Sequence, residues 1–176
     1  MRRLSRLTSR NSPTLHIRRA RPADAATLLK LIRAYYRFDR ITFRMRPIAQ
    51  ALARMLNDRR LGRVWIFFDG AKAIGYAVLA YNFDLEFGGL QGLVTDLFVH
   101  QDYRGRGLGK RALDLVDDYC RTAGINTVEL QVVEHNQSAR AFYRTIGFTQ
   151  LDRVVMTRKV KPRASRRRAS GLVEGR

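Results

Sequence analysis

Cysteine is all but missing from this chain of 176 residues: Cys120 stands alone. That excludes an intramolecular disulfide framework and leads to an expected cytoplasmic, reducing location. Histidine is also scarce. His16, His100 and His135 are the only three, and with one cysteine they show no metal-ligand spacing, so no metal is expected. No apolar run approaches the roughly 20 residues that cross a bilayer, so no transmembrane segment is expected. Residues 1–12 have the Arg-rich, acid-poor make-up of an organellar transit peptide but no apolar core segment, so secretion is not expected either. What the chain does have is a 45% hydrophobic composition, which argues against wholesale disorder, in a length that suits one domain.

Acids are outnumbered, 15 against 34 bases, for a formal net charge of +19. Residues 1–14 carry Arg2, Arg3, Arg6 and Arg10 and no acid. Residues 161–176 carry Lys161, Arg163, Arg166, Arg167, Arg168 and Arg176 against Glu174 alone. Both ends are read as basic disordered tails around a domain at 15–160. Such tails allow non-specific, salt-sensitive contact with nucleic acid, or serve as solvated extensions without a partner.

Between the tails the hydrophobic period alternates. Thr14 to Arg19 reads as a strand, and Pro22 to Phe38 as a helix with Leu28, Leu29, Ile32 and Tyr35 on its apolar face. A second helix opens at Pro47, and the segment from Asp39 to Arg46 reads as a loop that could line a pocket. Arg63 to Phe68 and Ala73 to Tyr81 read as strands joined by an Asp69-Gly70 turn, followed by a strand from Leu90 to Val99. Leu108, Ala112, Leu115, Val116, Tyr119, Cys120 and Ala123 mark an amphipathic helix that stops near Gly124. Thr127 to Val133 reads as a strand, Asn136 as the N-cap of a short helix ended by Gly147, and Phe148 to Val160 as a last strand or hairpin. The order specifies an α/β (α+β) domain on a mixed sheet, with antiparallel hairpins early and a β-α-β crossover later.

One stretch carries chemistry. The strand ending Asp96-Leu97-Phe98-Val99 runs into Arg104-Gly105-Arg106-Gly107-Leu108-Gly109-Lys110, where alternate glycines open a helix. Glycines let the backbone turn tightly, and the first free N–H groups of a helix attract an anion. A nucleotide P-loop does not fit, because Arg104 stands where its first glycine belongs and Arg111 where its hydroxyl belongs. A dinucleotide fingerprint starting at Gly105 meets Lys110 in place of its third glycine. A turn without a ligand is the remaining alternative.

The segment Arg104-Gly105-Arg106-Gly107-Leu108-Gly109 resembles the pyrophosphate loop of the GNAT N-acetyltransferases. A second match, Asn136-x-x-Ala139-x-x-Phe142-Tyr143-x-x-x-Gly147-Phe148, follows in the order and spacing of that superfamily. The resemblance covers about residues 15 to 160 and leans toward small-amine enzymes of the polyamine and diamine type. It implies a GNAT-like domain of about six to seven strands and four helices, splayed at the cofactor site. It also implies acetyl-CoA as acyl donor, with its pantetheine arm along Leu97, Phe98 and Val99 and its pyrophosphate on the amides from Arg104 to Lys110. Asn136 and Ala139 would border the cofactor's other side, and Tyr143 would be the general acid.

The base is open among Asp96, Glu134, Glu86, Asp84 and His135, acting through water. Some amine-specific relatives carry two adjacent acids on this strand, where Thr95 and Asp96 stand here. Asp84, Glu86, Asp96 and Glu134 are expected near the acceptor cleft or as solvated charges. Tyr35, Tyr36, Phe38 and Phe43 are expected on the acceptor wall or in the core, and His16 and His100 as structural. The reading is an acetyl-CoA-dependent N-acetyltransferase acting on a primary amine of a small molecule by direct attack in a ternary complex. A protein N-terminal or lysine acetyltransferase and a basic nucleic-acid-binding protein that retains the fold stand as alternatives, and homodimerisation is left open.

Overall fold

The sheet grows outward in chain order. In the computed structural model, which describes residues 15–160, β1 (Leu15–Arg19), β2 (Gly62–Asp69), β3 (Lys72–Asp84) and β4 (Gly89–Val99) pair antiparallel, each with the next. β5 (Val128–Leu130) joins β4 in parallel. The helices are α1 (Ala25–Phe38), α2 (Met45–Asn57), α3 (Leu108–Ala123) and α4 (Gln137–Thr145). Both basic tails lie outside the described residues.

β2 reads as a continuous apolar run because both of its faces are covered. Val64 and Ile66 pack with Leu28, Ile32 and Leu52 of α1 and α2, while Trp65 and Phe67 pack with Leu108, Ala112, Leu113 and Val116 of α3. The turn at Asp69-Gly70 closes the β2–β3 hairpin as its sequence requires, with Gly70 at φ 55°. Pro22 opens a 3-10 turn that leads into α1, and this junction is clamped by Arg18 on Asp24 at 2.7 Å. That bond holds the Asp24 carboxyl down to about 2.

Three expectations need correction. The buried stripe of α3 includes Leu113 at 3% exposure, while Leu115 is 37% exposed. At roughly 100° per residue the buried positions centre between Leu108 and Leu113, which leaves Leu115 on the rim. The strand expected from Thr127 to Val133 pairs only over Val128–Leu130. No strand forms in residues 148–160, so the described sheet has five strands rather than six or seven. A β-branched run needs a partner edge, and the adjacent β5 offers only three residues. Val154 and Met156 accordingly stand 87% and 89% exposed.

The fold feature that matters most for function is a β-bulge. Val78 lies opposite Asp96 but Leu79 lies opposite Val94, so Thr95 is an extra residue in β4. In a regular strand Val94, Asp96 and Phe98 would share a face. With the bulge, Val94 stays on the α3 side while Phe98 packs on the α1/α2 side, and Asp96 turns with it toward the Tyr76 hydroxyl.

Candidate active site

Past Val94 and Leu130 the parallel ladder ends, and β4 has a strand on one side only. The next segments, Thr95 to Val99 and Gln131 to Val133, diverge and contribute to opposite parts of a cleft of about 880 Å³. The turn 104–110 enters the cleft beyond the end of β4, α4 lines one flank, and the C-terminal end of α1 the other. Apolar content alone does not separate a ladder from a cleft wall, which is why residues 131–133 read as strand.

The glycine turn is built as a concave amide surface. Gly105 and Gly107 sit at φ 75° and 74°, a region that side chains disfavour, and a Cβ on either would meet no atom within 4 Å. Gly107 caps α3 without a side chain, so the first N–H groups of that helix are left without a capping bond. Gly109 is glycine for another reason: a Cβ there would stand 3.3 Å from the Phe142 ring, so its smallness lets α4 approach α3. Arg104 donates to the Val99 carbonyl at 3.0 Å and stacks on Phe38 at 4.1 Å. Lys110 reaches both Asp114 oxygens at 2.9 Å. Arg106 turns away, donating to the Asp102 carbonyl and stacking on Tyr103, and is not part of the lining.

Asn136 caps α4 by accepting from the Ala139 amide at 3.1 Å. The helix thus starts at the cleft, and its apolar side carries Phe142 and Tyr143 inward. The Tyr143 ring is fixed between Phe142 and Phe148, at centroid distances of 5.3 and 5.7 Å. Burial raises its phenol above the usual value, and the negative charge of Asp39 adds to that. Tyr143 therefore carries its proton at neutral pH.

The opposite wall comes from α1. Tyr35, Phe38, Asp39 and Ile41 line the cleft, Tyr36 and Phe43 pack with the α1/α2 core, and Tyr35 does both, so the four aromatics fill the two roles expected of them. Burial raises the Tyr35 phenol, followed by the charge of Asp39 and a side-chain contact with it. Behind Tyr35, Asp96 accepts from the Tyr76 hydroxyl at 3.1 Å and from the Thr95 hydroxyl at 3.0 Å. Burial raises its carboxyl, and those two bonds oppose the rise.

The cleft brings together Leu97, Phe98, Val99, Arg104, Gly105, Gly107, Leu108, Gly109, Lys110, Asn136, Ala139 and Tyr143. Asp96 adjoins it through Tyr35 but is not in the lining. Glu134 is exposed and outside the lining, and its backbone carbonyl accepts from Gln137 and Arg140. Asp84 ends β3, six residues along from Val78, the partner of Asp96, and Glu86 follows in the β3–β4 turn, where it pairs with Arg153. None of the four acids is in the lining. His135 is absent from the lining, His16 stacks on Phe68, and His100 lies 3.3 Å from Asp102. Among the described residues no cluster of three or more metal-ligating side chains occurs, and no helix is long and apolar enough to cross a membrane. Sequence reasoning placed Asp39 only at the start of a loop that could line a pocket, and Asp39 and Ile41 do line it; it missed Tyr76, whose only signal was a tyrosine in an apolar strand.

Known proteins resemble this chain in sequence and fold. The uncharacterized N-acetyltransferase YycN of Bacillus subtilis is 39% identical over 70 residues, which span 40% of this chain and 44% of YycN. The uncharacterized N-acetyltransferase YhfO of the same organism is 27% identical over 136 residues, covering 77% of this chain and 91% of YhfO. Thialysine N-epsilon-acetyltransferase of Bos taurus is 22% identical over 144 residues, 77% of this chain and 84% of that protein. Among solved structures, the integron cassette protein HFX_CASS3 from the mobile metagenome of Cole Harbour Salt Marsh superposes with a TM-score of 0.73 at 28% identity, covering 84% of this chain and 91% of its own. The acetyltransferase (GNAT) family model matches residues 26–148. With that match across the sheet, the glycine turn and the tyrosine helix, the chain belongs to the GNAT family of acyltransferases.

Proposed function

We propose that this protein is an acetyl-CoA-dependent N-acetyltransferase that acylates a primary amine of a small molecule by direct attack within a ternary complex. The observation that carries the reading is the sharing of one cleft by three parts: a free-amide glycine turn, a β4 edge released from its parallel partner, and a buried phenol. Members of this family use acetyl-CoA, and the residues present suit it. The amides after Gly107, with Arg104 and Lys110 beside them, offer donors and positive charge to a diphosphate. The released side of β4, over Leu97 to Val99, offers backbone groups to an extended amide-bearing arm. Thialysine N-epsilon-acetyltransferase among the relatives supports a small amine as acceptor.

The chemistry asked of this chain is proton handling and positioning. The amine nitrogen bonds to the acetyl carbon, the carbon–sulfur bond breaks, and the departing sulfur takes the proton held by Tyr143. The proton shed by the amine passes through water to Asp96, whose raised carboxyl is a stronger base than an ordinary aspartate. A backbone amide of β4 would stabilise the charge that develops on the carbonyl oxygen.

A thiol-release assay with acetyl-CoA tests this across diamines, polyamines, amino sugars, amino acids and N-terminal peptides. Release with small amines and not with peptides is the expected result. Peptides as the preferred acceptors would overturn the small-molecule reading, and release with none of them would overturn the enzyme reading.

A further inference from the structure

Among the charged residues that line the cleft, Arg104 and Lys110 belong to the glycine turn and its helix, and Asp39 is the one acid. Asp39 closes α1, its backbone N–H bonded to the Tyr35 carbonyl at 2.9 Å. Its side chain lies close enough to Tyr35 and Tyr143 for its charge to act on both phenols. None of the ion pairs among the described residues includes Asp39. In a chain with a formal net charge of +19, a half-buried carboxylate in the cleft thus has no cation paired with it among the described residues.

A reacting amine cannot be what satisfies this charge. The nitrogen must lose its proton before it attacks, whereas a nearby carboxylate favours the protonated form. The partner of Asp39 is therefore a positive charge on the acceptor other than the reacting nitrogen. Asp96 lies outside the lining, where it accepts from the Tyr76 and Thr95 hydroxyls.

We infer that Asp39, with the Tyr35 hydroxyl beside it, seats a second cationic group of the acceptor, so that the enzyme selects small amines carrying two positive charges over matched monoamines. The inference rests on the acetyltransferase reading above and goes further, to substrate class and the residue that sets it.

The test compares linear diamines with monoamines of equal chain length, for example diaminobutane with butylamine, using the full chain and saturating acetyl-CoA. For at least one diamine the wild type is expected to show a KM about tenfold below that of its monoamine, the scale of one charge-assisted hydrogen bond and well beyond the factor of about two that two reactive ends supply. Asp39→Asn is expected to bring the two KM values within about twofold of each other. Asp39→Glu is expected to restore part of the difference. A merely structural Asp39 would instead shift both amines together. No diamine preference in the wild type, or an undiminished preference in Asp39→Asn, refutes the assignment while leaving the acetyltransferase reading intact. No thiol release with any amine refutes both.

Discussion

Replacing Tyr143 with phenylalanine separates packing from proton transfer, because the ring contacts with Phe142 and Phe148 survive and only the hydroxyl is lost. Losing one hydroxyl costs about 1 kcal/mol of stability or less, a fall in Tm of about 2–4 °C for a domain of this size. Losing a general acid costs about 10²–10⁴ in rate, equivalent to about 3–5 kcal/mol of transition-state stabilisation. Tyr143→Phe is therefore expected to bind acetyl-CoA by calorimetry much as the wild type does, while its kcat at neutral pH falls at least a hundredfold. The pH dependence has a definite sign. Burial and the Asp39 charge raise the phenol in the folded state, so its contribution to stability is fully present below the ordinary tyrosine value of about 10 and is lost as pH rises through the higher folded value. The wild type should accordingly lose stability relative to Tyr143→Phe only in strong alkali. A kcat within about threefold of wild type would refute the acid role, since the smallest effect expected of such a group is about a hundredfold.

Gly107→Glu places a side chain at φ 74° in open space and a negative charge in the amide turn, so acetyl-CoA binding by calorimetry should disappear while circular dichroism shows the fold retained. Gly75→Ala tests the sheet instead: its Cβ would lie 2.4 Å from the Phe98 backbone oxygen, and a loss of about 2 kcal/mol or more, read as a lower urea midpoint, is expected. Asp96→Asn should cut turnover and abolish the acid limb of the pH–rate profile, which in the wild type should lie above the ordinary aspartate value of about 3.9. Because burial raises Asp96 in the folded state, the wild type should gain stability relative to Asp96→Asn as pH falls from neutral through that raised value toward about 4. A difference in stability that does not change with pH would count against the burial of this carboxyl.

The elements that depend on period alone were legible in the sequence. The spacing of α3 specified its boundaries, and the Asp69-Gly70 turn specified the hairpin to within a residue at the turn, while β3 runs three residues past the expected end at Tyr81. The glycine turn was legible as well, because alternate glycines before an amphipathic helix suit a tight left-handed turn that leaves the first amides free. Gly109 shows the limit of that reading. It looks like a third cradle glycine, yet its neighbour is the Phe142 ring from a helix thirty residues on, a contact that local spacing does not reveal. The C-terminal run failed in the same way. Val154, Val155 and Met156 have the composition of a strand, but pairing is a property of two edges, and β5 stops after three residues.

The α1 side of the cleft was less legible because one backbone irregularity decides it. Strict alternation along β4 puts Asp96 on the side of Val94, against α3, where a carboxylate would be stranded among Leu108, Ala112 and Val116. The extra residue at Thr95 reverses the parity of the strand from Asp96 onward. Asp96 then meets the Tyr76 hydroxyl, and Thr95 supplies the second donor. The bulge also coincides with the point where β5 leaves β4, since the ladder ends at Val94. The bulge therefore does two jobs: by absorbing Thr95 it keeps Asp96 on the α1/α2 side, opposite Val78, and it lies where the ladder between β4 and β5 ends. Deleting Thr95 should register β4 as an unbroken strand against β3 with Asp96 still facing Tyr76, because Asp96 would then follow Val94 directly and alternate to the other face. The carboxyl would lose only the Thr95 hydroxyl, a cost of about 1 kcal/mol, while the cleft would lose the irregularity beside which β4 and β5 part, so turnover is expected to fall with most of the stability retained. A deletion variant with wild-type turnover would show that the bulge is incidental to the cleft.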